Sequence, residues 1–511
     1  MCSPRRAKSA ARMEGRISIM ERECPQLTMM AIDVTPGGAV REVEYRANER
    51  IDAGASRSGS SPRGYDAACR SPAAASSSKA RLRRSPGSPA EMKRRFLVRG
   101  IRQVVTLRGP AGPRRGDQLA DPAVISDGAM LIDHGRFVQV GPTARIENLT
   151  EARGAEELPC PGNVVIPGFV DAHTHLLHGP ARIEEFEARI REGRPGKGVH
   201  ANEGVFATMR AVRAAPAARL RIQAVRALRQ AASFGSTTLE VKSGYGLDEA
   251  TETKMLRLLK TLHGHPLSIV PTYLGLHVLP PEFDGRPAEW LDFVLRRQLP
   301  LVARRRLAQF ADAGADPQSF SLEQIRRFLS AARMHGLGLR LHVPPNAHAG
   351  AIALAAELGA TSVDGLEAVT SAEMDLLART STIAVLLPGR TFHQGSGRFA
   401  RARSMIEAGA AVALATNFNP GTSPSCSMPF VLSLACTQMG MTPGEALAAA
   451  TINGAHALGI AAEAGSLEHG KWADFVVLDA SDYRELPYYF GMNLVAMTVR
   501  RGEVIYRREA C

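Results

Sequence analysis

Between Val164 and Pro420 the chain repeats one unit eight times: a short run of apolar and β-branched residues, a polar loop, then a longer amphipathic stretch. The runs are VVIPGFVDAHTH, STTLEVKSG, LSIVPTYLGLH, LAQFADAG, LGLRLHV, ATSVDGL, TIAVLLPG and AVALATNFNP. Helical periodicity fills the gaps, for instance from Arg219 to Ala232, Glu249 to Leu262 and Leu322 to His335. Parallel strands can neighbour one another only through crossovers of this length, and eight such units close into a (β/α)8 TIM barrel with its helices outside. The expected fold class is therefore α/β.

The flanks have a different texture. FLVRGIRQVVTL and AMLIDHGRFVQVG precede the repeats, and GSLEHGKWADFVVLDA and VAMTVRRGEVIY follow them, all short strand-like runs punctuated by Gly and Asp. They predict a small β-sandwich-like domain built from both ends of the chain, 96–165 plus 466–511, around a barrel spanning 166–465. Residues 1–95 read as a disordered or low-complexity extension, since the stretch from Ala53 to Pro89 is dominated by Ser, Ala, Gly, Pro and Arg. A transit peptide is the alternative reading, but Glu14, Glu21 and Glu23 fit poorly with such acid-poor segments.

Charge and cysteine usage narrow the function classes. Of the formal +13, about +9 falls before Phe96, and its densest cluster, Arg81, Arg83 and Arg84, has no aromatic residues interleaved for base stacking. Nucleic-acid binding is not expected. Cys2, Cys24, Cys69, Cys160, Cys426, Cys436 and Cys511 form no CxxC pair and no disulfide framework, which suits a reducing compartment and a cytoplasmic protein. Apolar runs such as Ala410 to Ala415 fall far short of the ~20 residues that cross a bilayer. No membrane partner is expected either.

A barrel of this type keeps its chemistry at the C-terminal ends of its strands. There the first strand ends in Asp171-Ala172-His173-Thr174-His175, two imidazoles two residues apart and so on one face of an extended segment, able to share a metal. His342 ends the fifth strand and offers a third nitrogen. The eighth ends in Asn417 and Asn419, where a metallohydrolase wants a carboxylate to hold the metal and take a proton; Asn417 can offer only a neutral carbonyl oxygen. Lys242-Ser243-Gly244-Tyr245-Gly246 follows the second strand, His277 ends the third, and Arg182 lies just past the histidine pair. Such groups suit an anionic, planar small-molecule substrate with Arg182 clamping a carboxylate, or else they pack loops, with Arg182 paired to Glu184 or Glu185.

Together with YLGLHVLPPE and AAATINGAHALG, these segments resemble imidazolonepropionase, an amidohydrolase-type family of histidine degradation, from Phe96 to the C-terminus. KSGYGLD and the NPG after the eighth strand are its specific marks. The resemblance implies hydrolysis of 4-imidazolone-5-propanoate to N-formimino-L-glutamate at one zinc or iron ion in a cytosolic homodimer. By position, His173, His175 and His342 match its metal ligands, and Arg182, Tyr245, His277, Asn419, Gly421 and Thr422 its substrate contacts.

At three positions the chain departs from that pattern. Asn417 stands where the family has its metal-binding, proton-accepting aspartate. Pro345 occupies the place of a catalytic glutamate, and Gly365 that of a histidine. Asp364, or failing that Asp312, is the candidate replacement carboxylate. Three readings follow: a slow enzyme of the family, a barrel that kept its pocket for binding or regulation, or an amidohydrolase for another cyclic amide, against which the intact KSGYG and NPG segments argue.

Overall fold

A computed structural model describes residues 95–191 and 203–509, together with the strands Met30–Val34 and Val40–Glu44. Met1–Ser85 and Pro86–Cys511 form separate units. In the first, MAIDV and VREVE pair as an antiparallel hairpin, within the stretch read as a disordered or low-complexity extension; their Val and Ile content favours strands. The rest of that extension lies outside the described residues.

All eight expected barrel strands form: β1 (Phe169–Asp171), β2 (Ser236–Lys242), β3 (Ser268–Leu276), β4 (Phe310–Gly314), β5 (Gly338–Val343), β6 (Ser362–Gly365), β7 (Ile383–Leu386) and β8 (Val412–Leu414). They pair in chain order and in parallel from β1 to β8. The ring is closed just beyond the strand ends. Thr174 bridges Phe418, His175 N donates to Phe418 O at 2.8 Å, and the Asp171 carboxylate accepts the backbone N–H and the hydroxyl of Thr416.

Helices fall where periodicity places them. The helix Ala217–Ser233 buries Leu220, Ala224, Leu228 and Ala231, a stripe at helical spacing. Asp248 caps the helix Glu249–Leu262 by accepting Thr251 N at 2.7 Å, and Ser321 with Gln324 forms a capping box for Leu322–Met334. Because strand side chains alternate, Leu239 and Val241 of β2 join the helix-facing core while Glu240 and Lys242 point into the barrel.

A second sheet draws on both flanks. Its order is Glu503–Arg507, Val495–Arg500, Phe475–Leu478, Val164–Pro167, Arg95–Val105, Val124–Asp133 and Arg136–Pro142, with Glu156–Pro159 added beside Arg95–Val105. The ends of the chain meet where Phe475 pairs with Pro167. Asn453 of the TINGAHALG segment ties this region to the barrel: its amide accepts Arg114 N at 2.8 Å and donates to Arg114 O and to Val412 O of β8. No helix among the described residues is long and apolar enough to cross a membrane.

Asp474, at the junction of sheet and barrel, accepts Arg501 N at 2.7 Å, yet burial lifts its carboxyl to about 6. A folded-state value above the ordinary 3.8 means that ionisation opposes folding: no cost below about pH 4, a rising cost through pH 6, the full cost above. Asp474→Asn is therefore expected to equal the parent at pH 4 and exceed it by on the order of 2 kcal/mol at pH 8, read from paired urea transitions at the two pH values.

Candidate active site

The site begins at the end of β1. His173 and His175 are buried, and their Nε2 atoms stand 3.3 Å apart, both turned toward one point. Burial holds both rings below their ordinary values, and His175 falls well below because the neighbouring His173 and His277 imidazoles add to its cost of carrying charge. At neutral pH each presents a lone pair. Asp364 lies beneath them on β6, in register with His342 of β5, so both side chains point into the barrel. Its Oδ1 hydrogen-bonds His342 Nδ1, and its Oδ2 lies 2.9 Å from His173 Nδ1, off the ideal line of a hydrogen bond. Burial alone would raise this carboxyl, but the two imidazoles outweigh it and hold the group well below the usual carboxylate range.

Do these residues fit a metal ion? Two imidazole nitrogens on a tetrahedral zinc at 2.0–2.1 Å stand roughly 3.3 to 3.4 Å apart, so the His173–His175 pair has the spacing of two ligands. The set does not close around that pair. The His342 ring centroid is 6.0 Å from that of His173, and among the described residues no three His, Cys, Asp or Glu groups gather around one point. Asn417 is uncharged.

The remaining wall comes from three loops. Glu252, in the first turn of its helix, accepts the backbone N–H groups of Gly244, Gly246 and Leu247 at 2.9, 2.7 and 3.0 Å and so shapes the KSGYG loop. That loop lays Tyr245 over His175, with ring centroids 5.3 Å apart, and beside His277 at 5.5 Å. Burial raises the Tyr245 hydroxyl, which stays protonated. His277 gives its Nδ1 proton to Gly244 O at 2.7 Å, and burial lowers it to about 4, so it is neutral with Nε2 as an acceptor. Arg182 pairs with Glu185 at 2.7 Å and rests on Gly421, where a Cβ would meet Arg182 Cζ at 2.3 Å; only glycine admits the guanidinium there. With Ala181 and Thr208, Arg182 also lines a cavity of about 460 Å³, whose walls include none of His173, His175, Tyr245 or His277.

Asn419 and Thr422 lie on the same rim, but their polar groups are used within their own loop. Asn419 Oδ1 accepts Gly421 N and Thr422 N, while its amide donates to Asn417 O and Thr422 Oγ1. Asn419 thus shapes the loop that carries Gly421 and Thr422.

Asn417 is nearly buried at φ 52°, with its amide 3.4 Å from Thr422 Oγ1. Pro345 is exposed and offers no proton-transfer group. Gly365 has φ 93°, and a Cβ there would lie 2.2 Å from Val343 O. Neither carboxylate suggested as a substitute is free: Asp364 faces two imidazoles from below, and Asp312 binds Lys242 Nζ at 2.6 Å. Lys242, which the sequence places among the mouth groups, points instead into the barrel, where it also meets Glu240 at 2.9 Å. Arg340 completes this buried floor by donating to Ala172 O at 2.7 Å, inside the His173 segment. Sequence reasoning missed Glu240, Arg340 and Glu252. The signal was a charge alternating with apolar residues in LEVK and LRLH, on the same face as a site residue two positions away.

The eight-stranded parallel barrel with histidines at its strand ends is the architecture of an amidohydrolase, and residues 164–505 match the model of the amidohydrolase family. Among solved structures it resembles E. coli guanine deaminase (TM-score 0.61, 17% identity, 81% of this chain and 99% of that one). It also resembles a Xanthomonas campestris adenosine deaminase with bound zinc (TM-score 0.55, 19% identity, 80% and 92%). Sequence is more specific: the chain is 43% identical over 413 residues to the imidazolonepropionase of Symbiobacterium thermophilum, covering 80% of this chain and 97% of that one. It is 40% identical over 419 residues to that of Geobacillus kaustophilus, covering 81% and 98%. The chain belongs to the imidazolonepropionase family within the amidohydrolases.

Proposed function

We propose that this protein is a hydrolase of L-histidine degradation that adds water across the ring C–N bond of 4-imidazolone-5-propanoate to release N-formimino-L-glutamate. The observation that supports this best is the wall formed by His175, Tyr245 and His277 with Arg182 at the rim, on a chain of this family. Arg182 clamps the propanoate carboxylate. Tyr245, held protonated, donates to the ring carbonyl, and the free Nε2 of His277 accepts a ring N–H. By their place in the family His173, His175 and His342, with Asn417 a weak fourth ligand, are the positions for one zinc or iron ion, yet here only the His173–His175 pair stands at ligand spacing and His342 lies apart from it. The protein is further proposed to act as a cytoplasmic homodimer with no nucleic-acid or membrane partner.

Proton transfer is the weak step. Asn417, Pro345 and Gly365 present no base, and general base catalysis is typically worth roughly 10²- to 10⁴-fold. This favours a second reading, a barrel that binds the substrate without opening it. Calorimetric binding combined with loss of imidazolone absorbance separates the two: ring opening beyond the protein-free rate supports the enzyme, and tight binding with the ring recovered intact supports the binding protein. Under both, Arg182→Ala is expected to weaken binding roughly 10- to 100-fold, the worth of a charge-assisted hydrogen bond to a carboxylate. Unchanged affinity would place the carboxylate elsewhere.

A further inference from the structure

We propose that Glu367 is the proton acceptor of the ring-opening reaction, a carboxylate at the barrel mouth doing what Asn417, Pro345 and Gly365 cannot. The proposal rests on the hydrolase reading above and adds the group that reading lacks. Glu367 follows β6, whose end turns left-handed at Gly365 and Leu366, with φ 93° and 69°. That turn brings the Glu367 side chain back over Gly365. A Cβ built on the glycine would lie 3.6 Å from Glu367 Oε2, closer than to any other side chain apart from those of its chain neighbours.

The surroundings suit a working group better than a structural ion pair. The Glu367 side chain is only 7% exposed, and its partner is Arg390 of the helix Pro388–Gln394, which begins just after β7. Glu367 Oε1 and Arg390 Nη1 stand 3.7 Å apart, too far for a hydrogen bond. Among the described residues, Glu367 Oε2 and Arg390 Nη1 are both buried with no hydrogen-bond partner. Unsatisfied buried polar atoms cost free energy, so a purely structural pair would close this gap; one held open has room for a third group to bond to both. Arg390 belongs to the same mouth: a Cβ on the adjoining Gly389 would lie 2.8 Å from Ser423 Oγ and 3.4 Å from Thr416 O, which flank Asn417 in the chain beyond β8. Asp364 and Asp312, by contrast, each spend an oxygen on His342 or Lys242. A water held by Glu367 Oε2 gives it a proton as the water oxygen bonds to the ring carbonyl carbon. The ring C–N bond then breaks, its nitrogen takes that proton from Glu367, and the new carboxylic acid releases its own proton to solvent. Water is the only reagent consumed.

Turnover is followed in the full-length protein by loss of imidazolone absorbance, and affinity by calorimetry with imidazole-4-propanoate, which has no ring carbonyl to attack. Glu367→Gln should lower kcat by roughly 10²- to 10⁴-fold, the worth of a positioned base, and leave that affinity within about twofold of the parent's. In Glu367→Ala, added formate should restore turnover in proportion to its concentration, because it supplies the missing carboxylate; chloride at equal ionic strength should not. Turnover of Glu367→Gln within about threefold of the parent would overturn the proposal. So would a loss in Glu367→Ala that formate does not restore. If neither variant folds, Glu367→Asp decides. It keeps the charge beside Arg390 but draws the oxygen back by roughly the length of one C–C bond, so kcat should fall about 10²-fold, and an unchanged kcat refutes the proposal. A parent no faster than the protein-free rate would end the hydrolase reading and the role of Glu367 with it, whereas an active parent indifferent to Glu367 removes the proton acceptor alone.

Discussion

Asn417→Asp raises kcat/KM for imidazolone hydrolysis, with an expected gain of roughly 10²- to 10⁴-fold, the range that a positioned general base supplies. The backbone is ready for it. At φ 52° residue 417 occupies the left-handed region, which Asn and Asp tolerate better than other side chains, so the replacement brings no new strain. The Asn417 amide lies a long 3.4 Å from Thr422 Oγ1; a carboxylate oxygen there accepts the Thr422 hydroxyl, and the second oxygen is free to take a proton. Because Pro345 and Gly365 remain, and catalytic groups that act together are not additive, the lower end of the range is the expected result. Steady-state loss of imidazolone absorbance with zinc supplied measures it. A gain below threefold would show that proton transfer does not run through residue 417.

Gly365→His, the change that would return an imidazole to the family's position, is expected to destabilise the protein by on the order of 3 kcal/mol rather than restore activity. Gly365 has φ 93°, and a Cβ would fall 2.2 Å from the carbonyl oxygen of Val343. That atom is backbone, held in the β5–β6 ladder where Val343 pairs with Gly365, and it cannot swing aside as a side-chain tip would. Leu366 follows at φ 69°, so the turn is left-handed across two residues. The backbone here has a shape that rejects a side chain at this position. A fall in the urea midpoint with unchanged slope, together with no gain in turnover, is the expected pattern. A variant as stable as the parent would mean that the β6 turn rearranges at little cost.

Much of the molecule was legible in the order of its residues. Eight strands, their parallel sequence and the long helices between them follow from hydrophobic periodicity and from the crossover that parallel pairing requires. The histidine pair was legible for a related reason: strand alternation alone puts His173 and His175 on one face at a strand end. The absence of chemistry at Asn417, Pro345 and Gly365 could likewise be read directly, since side-chain identity decides what can carry a proton.

The partners of each charged group could not be read this way. Asp364 looked like a spare carboxylate and Lys242 like a group at the mouth. The folded chain gives them instead to two imidazoles and to the Glu240–Asp312 pair. Local sequence determines which face of a strand a side chain leaves from. Only barrel closure decides what it meets there, because the inward rows of β1, β2, β4, β5 and β6 converge from positions up to about two hundred residues apart, and a buried charge must settle on whichever partner is within reach.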